Sequence, residues 1–223
     1  MNFFVNATMP NQKSGIEHAQ LKRFELFNNH HEDSRVVLRD WDPIAHINAN
    51  AAGIPDEQLI NMFDYFQEAM TVTPKTLHAE DLDFGVPGTV LVDEPENNRY
   101  LVNAQNGQLV ARVNYDATAD RRVRSTELFD GYNNLFRVDH YDSRGFASLL
   151  QWYTPDNKIW TETWVTPEGR TVIETFNKNT MAGEFVKSGW RLIEHNGHVL
   201  QFDTIEELTK HFFDRLNDDF WQD

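Results

Sequence analysis

The residues with the clearest chemical potential lie between a short apolar run and the first amphipathic segment. Residues 3–6 have the pattern of a buried strand, and a polar loop then leads into a helix start. A loop of this kind points free backbone amides outward with partial positive charge, which suits a phosphate or diphosphate. A plain helix start is the alternative for the same residues. The candidate binding residues are Lys13, Ser14, Gly15, Ile16 and His18.

Three of these features bear on how a ligand would bind. Gly15 has no side chain, so a ligand can approach the backbone closely. His18 lies one turn into the predicted helix, where it either faces a cleft or packs on the helix surface. Arg39 follows the second predicted strand at its carboxyl end, where ligands of open α/β sheets bind. Its planar guanidinium suits a phosphate, and a salt bridge with Asp40 or Asp42 is the alternative.

A second candidate surface is basic. Arg121, Arg122 and Arg124 form the only dense basic cluster, at the start of a predicted strand in a chain of net charge −15. The cluster either binds a polyanionic acceptor or forms a charged sheet edge that prevents aggregation.

Aromatic residues concentrate on the strands that follow. Core packing, an interface between subunits and stacking on sugar rings are all open as explanations. These residues are Trp152, Tyr153, Trp160 and Trp164.

Other apparent signals point to no chemistry. His30 and His31 are adjacent on a predicted loop, and neighbouring residues of this kind rarely converge on one metal ion. We therefore expect no metal site. Glu17 and Glu25 lie on the first predicted helix about 80° apart, and Glu17 is better explained as part of a capping box with Ser14. The sequence contains neither a hydrolase nucleophile elbow nor a Walker-A loop.

The elements that position these residues begin as an α/β pattern. Residues 34–40 form a second predicted strand after the first helix, and Asp56 is predicted to cap a further helix through Ile60, Phe63 and Phe66. This order predicts a parallel βαβ beginning with a right-handed crossover. Because two parallel strands do not make a stable sheet, we expect the remaining strands of this lobe to come from polypeptide outside the sequence.

From about residue 98 short strands alternate with turn signals such as Asn106-Gly107 and Asn196-Gly197, which predicts an antiparallel meander. A capping box at Thr204 and Glu207 then opens a final helix with an apolar stripe. We therefore expect an α+β chain of three parts: residues 1–75 with the parallel βαβ beginning, 76–203 with the antiparallel sheet and 204–223 with the final helix.

Composition narrows the class of protein. The 223 residues are 40% hydrophobic and include no cysteine, which excludes disulfides and thiolate metal sites and suits a reducing cytoplasm. No apolar run approaches the ~20 residues of a membrane span. The acidic balance argues against nucleic-acid binding.

The motifs at residues 13–20, 39–43, 61–66, 151–158 and 202–216 together resemble a known family. The sequence looks like the N-terminal half of poly(glycerol-phosphate) alpha-glucosyltransferases, which modify wall teichoic acid. It is also similar, more distantly, to the accessory-secretion-system glycosyltransferases that act on serine-rich adhesins. The resemblance implies part of a GT-B fold, in which two Rossmann-like lobes enclose the active site and a β-rich insertion serves acceptor binding and oligomer contacts. Residues 1–75 would then belong to the acceptor lobe, 76–203 to the β-sheet insertion and 204–223 to a helix that returns to the lobe.

The resemblance also implies a role. It implies the acceptor-recognition and oligomerisation part of a retaining glucosyl- or N-acetylglucosaminyl-transferase that acts on the poly(glycerol phosphate) of wall teichoic acid. A serine-rich adhesin protein is the alternative acceptor. The UDP-sugar site and the catalytic residues would lie in a donor lobe after Asp223, so this part alone would hold no cofactor and would be inactive. A cytoplasmic homo-oligomer, located in part at the inner membrane face, is expected. A non-catalytic partner subunit that recognises the adhesin is the alternative.

Overall fold

The computed structural model describes residues 1–10 and 15–221. Two compact units make up the chain. The first comprises Met1–Thr71 and Phe202–Asp223, and the second comprises Val72–Gln201.

A three-stranded parallel sheet lies at the centre of the first unit, in the order β1-β2-β3. Its strands are β1 (Asn2–Asn6), β2 (Ser34–Leu38) and β3 (Leu59–Asn61). The helices are α1 (Gly15–Asn29), α2 (Ala45–Ala51), α3 (Met62–Phe66) and α4 (Ile205–Trp221). Phe4 pairs with Val36, and Val37 with Ile60, so β2 is the central strand. The parallel βαβ beginning is confirmed.

The predicted helix from Asp56 through Ile60 and Phe63 is wrong. Residues Asp56–Gln58 make a single 3-10 turn after Pro55, and the chain then enters β3, where Ile60 is buried. Helix α3 begins later because Asn61 is its N-cap, and the Asn61 side chain accepts hydrogen bonds from the amides of Phe63 and Asp64. A short apolar pair followed by an aromatic run fits both a strand and a helix, and pairing with β2 decides for the strand.

Helix α4 packs on the first unit through the apolar stripe that the sequence predicts. Leu208, Phe212 and Leu216 are fully buried, whereas Phe220 at the end of the stripe is 39% exposed. The Phe212 ring lies 5.4 Å from that of Tyr65. The Tyr65 hydroxyl donates a hydrogen bond to Asp219, and burial together with this bond raises the pKa of Tyr65 to about 12.

An antiparallel sheet of ten strands, in the described part of the chain, lies almost entirely in the second unit. Each strand pairs with its neighbours in sequence, so the predicted meander is confirmed. The strands are β4 (Val90–Glu94), β5 (Arg99–Asn103), β6 (Leu109–Asp116), β7 (Arg122–Phe129), β8 (Leu135–Tyr141), β9 (Ala147–Tyr153), β10 (Ile159–Val165), β11 (Thr171–Asn179), β12 (Phe185–Ile193) and β13 (Val199–Phe202).

One face of this sheet is covered by the residues that precede β4. Leu77, Ala79 and Val102 belong to one buried cluster on this face. The Lys75 amide donates to the carbonyl of Arg144, and a Cβ atom on Gly145 would collide with the Lys75 carbonyl oxygen. Glycine is therefore required at this turn, where the covering segment crosses the β8–β9 hairpin.

Candidate ligand cleft at the carboxyl edge of the parallel sheet

A cleft of about 510 Å³ opens in the first unit, where β2 ends and the first half of α4 passes. Parallel sheets bind ligands at this edge. The cleft is lined by Arg39, Asp40, Ile205, Glu206, Thr209, Lys210, Phe213 and Asp214.

The backbone beyond β2 is held in place from both sides. The amide of Arg39 donates to the carbonyl of Asn6, and that of Asp40 donates to the carbonyl of Ala7. On the other side, the Asn61 side-chain amide donates to the carbonyl of Asp40 at 2.8 Å. Because Asn61 also caps α3, one side chain fixes both the helix start and the cleft backbone. The exposed Arg39 side chain thus extends from a fixed point.

The wall formed by α4 is fixed by its cap. The amide of Glu207 donates to the Thr204 hydroxyl at 3.2 Å, as the sequence predicts. The Glu207 carboxylate accepts from the amide of Asp203 at 2.8 Å, one residue earlier than in a regular capping box. This cap fixes the first turn of the helix, which presents Ile205 and Glu206 to the cleft.

The cleft contains charges of both signs. Arg39 and Lys210 are the cations, and Asp40, Glu206 and Asp214 are the carboxylates. Within residues 1–10 and 15–221, Arg39 forms no salt bridge with Asp40 or any other carboxylate. Its five N–H donors are available to a ligand oxygen. The mixed lining suits a ligand with both hydroxyl and charged groups more than a bare polyanion.

His46 lies beneath this edge and is a buried residue that the sequence did not indicate. Its ring is 6% exposed and bridges two carboxylates: Nδ1 lies 2.7 Å from Asp56 Oδ1, and Nε2 lies 2.8 Å from Asp64 Oδ2. Both ring nitrogens can donate only when the imidazole is protonated, so the geometry fits an imidazolium between two carboxylates. The bridge ties α2 to the 3-10 turn and to α3. Its members are 10 and 18 positions apart in sequence, a spacing with no recognisable motif.

The second unit contains the part of the chain that matches a known family model. Residues 97–186, from just before β5 to the start of β12, match the family model described as the GtfB middle domain. A search of curated proteins finds no match to the sequence.

Solved structures extend the similarity to both units. A chain in the structure of accessory secretory protein 1, 2 and 3 from Streptococcus pneumoniae aligns with a TM-score of 0.75 at 15% identity, covering 100% of this chain and 46% of that chain. The pneumococcal O-GlcNAc transferase GtfA, solved with UDP and GlcNAc, aligns with a TM-score of 0.75 at 17% identity. The alignment covers 97% of this chain and 41% of that chain. S. aureus TarM aligns with a TM-score of 0.65 at 13% identity, and the alignment covers 96% of this chain and 43% of that chain.

At these identities the likeness establishes the fold. The chain spans less than half the length of each of these chains. The sequence-based resemblance to glycosyltransferases of accessory secretion and teichoic acid modification is confirmed, as is the α+β class with a β-rich insertion.

The structure separates the predicted cleft residues. His18 is exposed on α1 and lines a different groove, of about 400 Å³, together with Lys22, Glu25 and Gly53. Gly15 is the exposed first residue of α1. Arg39 lies in the cleft beside α4, and neither His18 nor Gly15 lines that cleft. Lys13 and Ser14, with the capping box expected at Ser14, and the side chain of Ile16 lie outside the described residues.

The basic cluster lies at the start of β7, in the second unit, and is largely neutralised. Arg121 donates to Asp93 at 2.7 Å and to the hydroxyl of Tyr100 at 2.6 Å. Arg122 lies 3.4 Å from Asp116. Arg124 is exposed. Two of the three charges are therefore already paired with carboxylates, which reduces the positive potential of the patch.

The aromatic residues of the second unit divide between core and surface. Trp164 is buried, and its ring stacks on Trp190 with 5.4 Å between centroids. Trp160 follows Ile159 at a β-bulge and is 50% exposed, next to Phe185. Trp152 is also exposed, and the Arg137 guanidinium lies 5.2 Å above its ring. Core packing explains Trp164, whereas Trp152 and Trp160 are available to a ligand or partner.

Two kinds of feature are absent from residues 1–10 and 15–221. No cluster of three or more His, Cys, Asp or Glu side chains in them could hold a metal ion. None of the helices in this part of the chain is long and apolar enough to cross a membrane.

Proposed function

We propose that this chain is the acceptor-side part of a glycosyltransferase that uses a sugar nucleotide, with a UDP-sugar as donor. The observation that carries the proposal is the order of its parts: a parallel lobe, a GtfB middle domain and a returning helix, which aligns with the O-GlcNAc transferase GtfA over 97% of this chain. The open cleft at the carboxyl edge of the lobe supports it, because this is the edge at which such sheets bind ligands.

In this proposal the cleft positions the acceptor while a donor-binding lobe supplies the sugar. Arg39 and Lys210 would bind oxygens of the acceptor or of the departing diphosphate, and Asp40 and Asp214 would accept hydrogen bonds from hydroxyl or amide groups. Such a site accelerates transfer by orienting the reactants and by stabilising the charge on the leaving group. The catalytic residues would lie in the donor lobe.

A serine-rich protein is the acceptor that the charges favour. The chain carries a net charge of −15, and two of the three clustered arginines are paired with carboxylates, so a polyanion would meet repulsion. Poly(glycerol phosphate) is the second candidate, since TarM has the same fold in this region.

Binding assays on the chain distinguish the two acceptors. Titration with a serine-rich peptide and with poly(glycerol phosphate), each at low and high salt, should give peptide binding that depends weakly on salt. Polymer binding that falls steeply with salt would instead assign the teichoic acid role. Transfer from a UDP-sugar is then measured on a protein that contains both these residues and a donor lobe. Absence of transfer would favour the alternative role, a non-catalytic partner subunit. Similarity to accessory secretory protein 1, 2 and 3 supports that second role.

The proposal includes a cytoplasmic location and self-association through the middle domain. The exposed Trp152 and Trp160 support an interface there, because aromatic residues are enriched in interfaces. Light scattering across a range of concentrations tests self-association, and a strict monomer would remove that part of the proposal.

A further inference from the structure

The exposed apolar side chains of the second unit concentrate at one end of its sheet. Three hairpins, β7–β8, β9–β10 and β11–β12, carry Tyr132, Phe136, Trp152, Trp160, Met181 and Val186. The other large apolar side chains that this unit exposes are Val86, Val90 and Val92, on β4 or just before it. Because neighbouring strands of a meander run in opposite directions, the turns of these three hairpins lie at the same end of the sheet. We call residues 129–136, 152–160 and 178–187 the aromatic sheet end.

The strand register brings the aromatic rings together near the turns. The rings of Phe136 and Trp152, on neighbouring strands, lie 6.5 Å apart. A β-bulge in β10 contains Trp160, whose ring lies 6.5 Å from that of Phe185. Since a bulge re-aims a side chain, this one helps to keep Trp160 half exposed. The rings therefore form exposed pairs along the rim of the sheet.

The turns extend the apolar surface beyond the strands. Tyr132, in the β7–β8 turn, is 88% exposed, and Met181, in the β11–β12 turn, is fully exposed. The opposite end of the sheet is different within residues 72–201, all of which the structure describes. Its turns expose none of the large apolar side chains, and they present charged residues such as Asp120 and Glu168. The apolar character thus belongs to one end of the sheet.

The exposed area is that of a protein interface. The four aromatic side chains at this end leave roughly 300–500 Å² exposed, if a whole aromatic side chain offers about 150–250 Å². Monomeric proteins rarely expose an apolar patch of more than a few hundred Å², and larger ones mark interaction sites. A standard interface buries about 800 Å² on each partner. Met181, Val186 and the polar groups of the turns enlarge the aromatic area towards this value.

The charges of the aromatic sheet end suit a second copy of the chain. Its three carboxylates and three ammonium groups cancel, in a chain of net charge −15, so two copies meet here with the least repulsion. The β9–β10 hairpin in the middle is neutral, since Lys158 lies 3.0 Å from Asp156. Asp130 gives the β7–β8 hairpin one negative charge. The β11–β12 hairpin is positive, because Lys178 and Lys187 outnumber Glu184, although Lys187 also pairs with Glu162.

We propose that the aromatic sheet end binds a second copy of this chain across a two-fold axis at the β9–β10 hairpin. Such an axis brings the positive flank of one copy against the negative flank of the other, as an isologous interface requires. Trp152 and Trp160 then lie at the centre, and Met181 faces Tyr132 of the partner subunit, a favourable contact between sulfur and ring. The inference rests on the proposed self-association and adds which surface the copies share and with what symmetry.

Sedimentation velocity on the full 223-residue chain over a range of concentrations tests the surface. We expect the wild type to form dimers as concentration rises. Trp160→Lys replaces a central aromatic side chain by a charge and should raise the dissociation constant of the dimer at least about tenfold. Leu26→Lys is the matched control, because Leu26 on α1 is 53% exposed and Trp160 is 50% exposed. This control should form dimers like the wild type, and circular dichroism checks that both variants are folded.

Cross-linking tests the symmetry. The chain contains no cysteine, so Tyr132→Cys and Met181→Cys each introduce the single thiol of their variant. With a short bis-maleimide, a mixture of the two variants should give more cross-linked dimer than either variant alone. Stronger cross-linking within one variant would reject the two-fold arrangement.

The wild type alone can overturn the proposal, so the test does not depend on a variant that folds. A chain that stays monomeric at all concentrations rejects both this surface and the proposed self-association. Dimers that Trp160→Lys and Leu26→Lys leave equally stable would keep self-association and reject the aromatic sheet end. Monomers that bind vesicles of phosphatidylglycerol would assign the aromatic side chains to a membrane surface instead. Failure of the transferase role is measured separately, as absence of sugar transfer.

Discussion

At the scale of single residues, His46 has the strongest expected effect on stability. It bridges Asp56 and Asp64, and Asp64 is itself buried. Removing one partner of a buried charged group leaves the other without compensation, which costs more than the original pair contributed. The same network reaches the cleft, because Asn61 caps the helix that carries Asp64 and also holds the carbonyl of Asp40.

We expect His46→Ala to destabilise the first unit by about 3–5 kcal/mol, because the buried Asp64 carboxylate loses its 2.8 Å contact with the His46 ring. Urea denaturation followed by circular dichroism measures the change. His30→Ala is the control, since His30 is exposed, and it should change stability by no more than about 0.5 kcal/mol. Equal stability of the two variants would show that the bridge contributes nothing.

Arg39 is the residue on which acceptor binding is expected to depend. Its side chain lies in the cleft without a carboxylate partner in the described residues, so Arg39→Gln should weaken acceptor binding by about tenfold, the effect of losing one charged hydrogen bond. Isothermal titration calorimetry with the serine-rich peptide measures this. Arg23→Gln is the control, because it removes the same positive charge at an exposed position on α1 outside the cleft. This variant should bind the peptide like the wild type.

At the scale of elements, the hairpin turns of the sheet depend on ionised carboxylates. The side chain and backbone amide of Asn134 donate to Asp130 and hold the pKa of that carboxyl below its usual value of 3.8. Hydrogen bonds from Thr118 lower the pKa of Asp116 in the same way, and those from Thr154 lower the pKa of Asp156. A folded-state pKa that is lowered contributes stability above the unfolded pKa, and this contribution is lost as pH falls through the folded value.

The stability of the second unit should therefore decrease as the pH falls below about 3.8. Thermal melts from pH 6 down to pH 2 measure this trend, with about one pH unit between melts. Asp130→Asn keeps a hydrogen-bond acceptor but cannot titrate, so its acid-dependent loss should be smaller than that of the wild type. An unchanged pH profile in this variant would argue against a contribution from Asp130.

The packing of helix α4 is expected to depend on the aromatic ring of Phe212. Phe212 is fully buried and contacts both Tyr65 and Phe66. Phe212→Ala should destabilise the first unit by about 3–5 kcal/mol, through lost burial and the cavity that remains. Phe220→Ala removes an aromatic ring that is 39% exposed and should cost much less. Chemical denaturation of both variants measures the difference, and similar losses would contradict the packing of α4.

At the scale of the whole molecule, the division into two compact units predicts independent folding of the sheet. Residues 72–201 contain their own buried cluster around Val102, Ala111 and Val113. Expressed alone, this segment should give dispersed amide signals and a cooperative melt, because its strands pair with their neighbours in sequence. Undispersed signals would show that the sheet requires the first unit. The full chain of residues 1–223, expressed under the same conditions, is the control.

The sequence by itself determined the elements whose signals are local. Turn residues such as Asn106-Gly107 fix hairpins through backbone conformations that few residues adopt, and the stripe at Leu208 and Phe212 fixes α4 through helical periodicity. The family motifs likewise identified the fold, because they depend on residues close together in the chain.

Only the tertiary structure decided features that join distant residues. Strand β3 exists because Ile60 pairs with Val37, a contact that no window of sequence contains. The pairing of Arg121 with Asp93 and the bridge at His46 arise in the same way. Hydrogen bonds and burial depend on distances in space, and the order of residues along the chain does not specify those distances. The binding roles of Lys13 and Ser14 stay predictions, whereas Arg39 lies in a cleft with a defined lining.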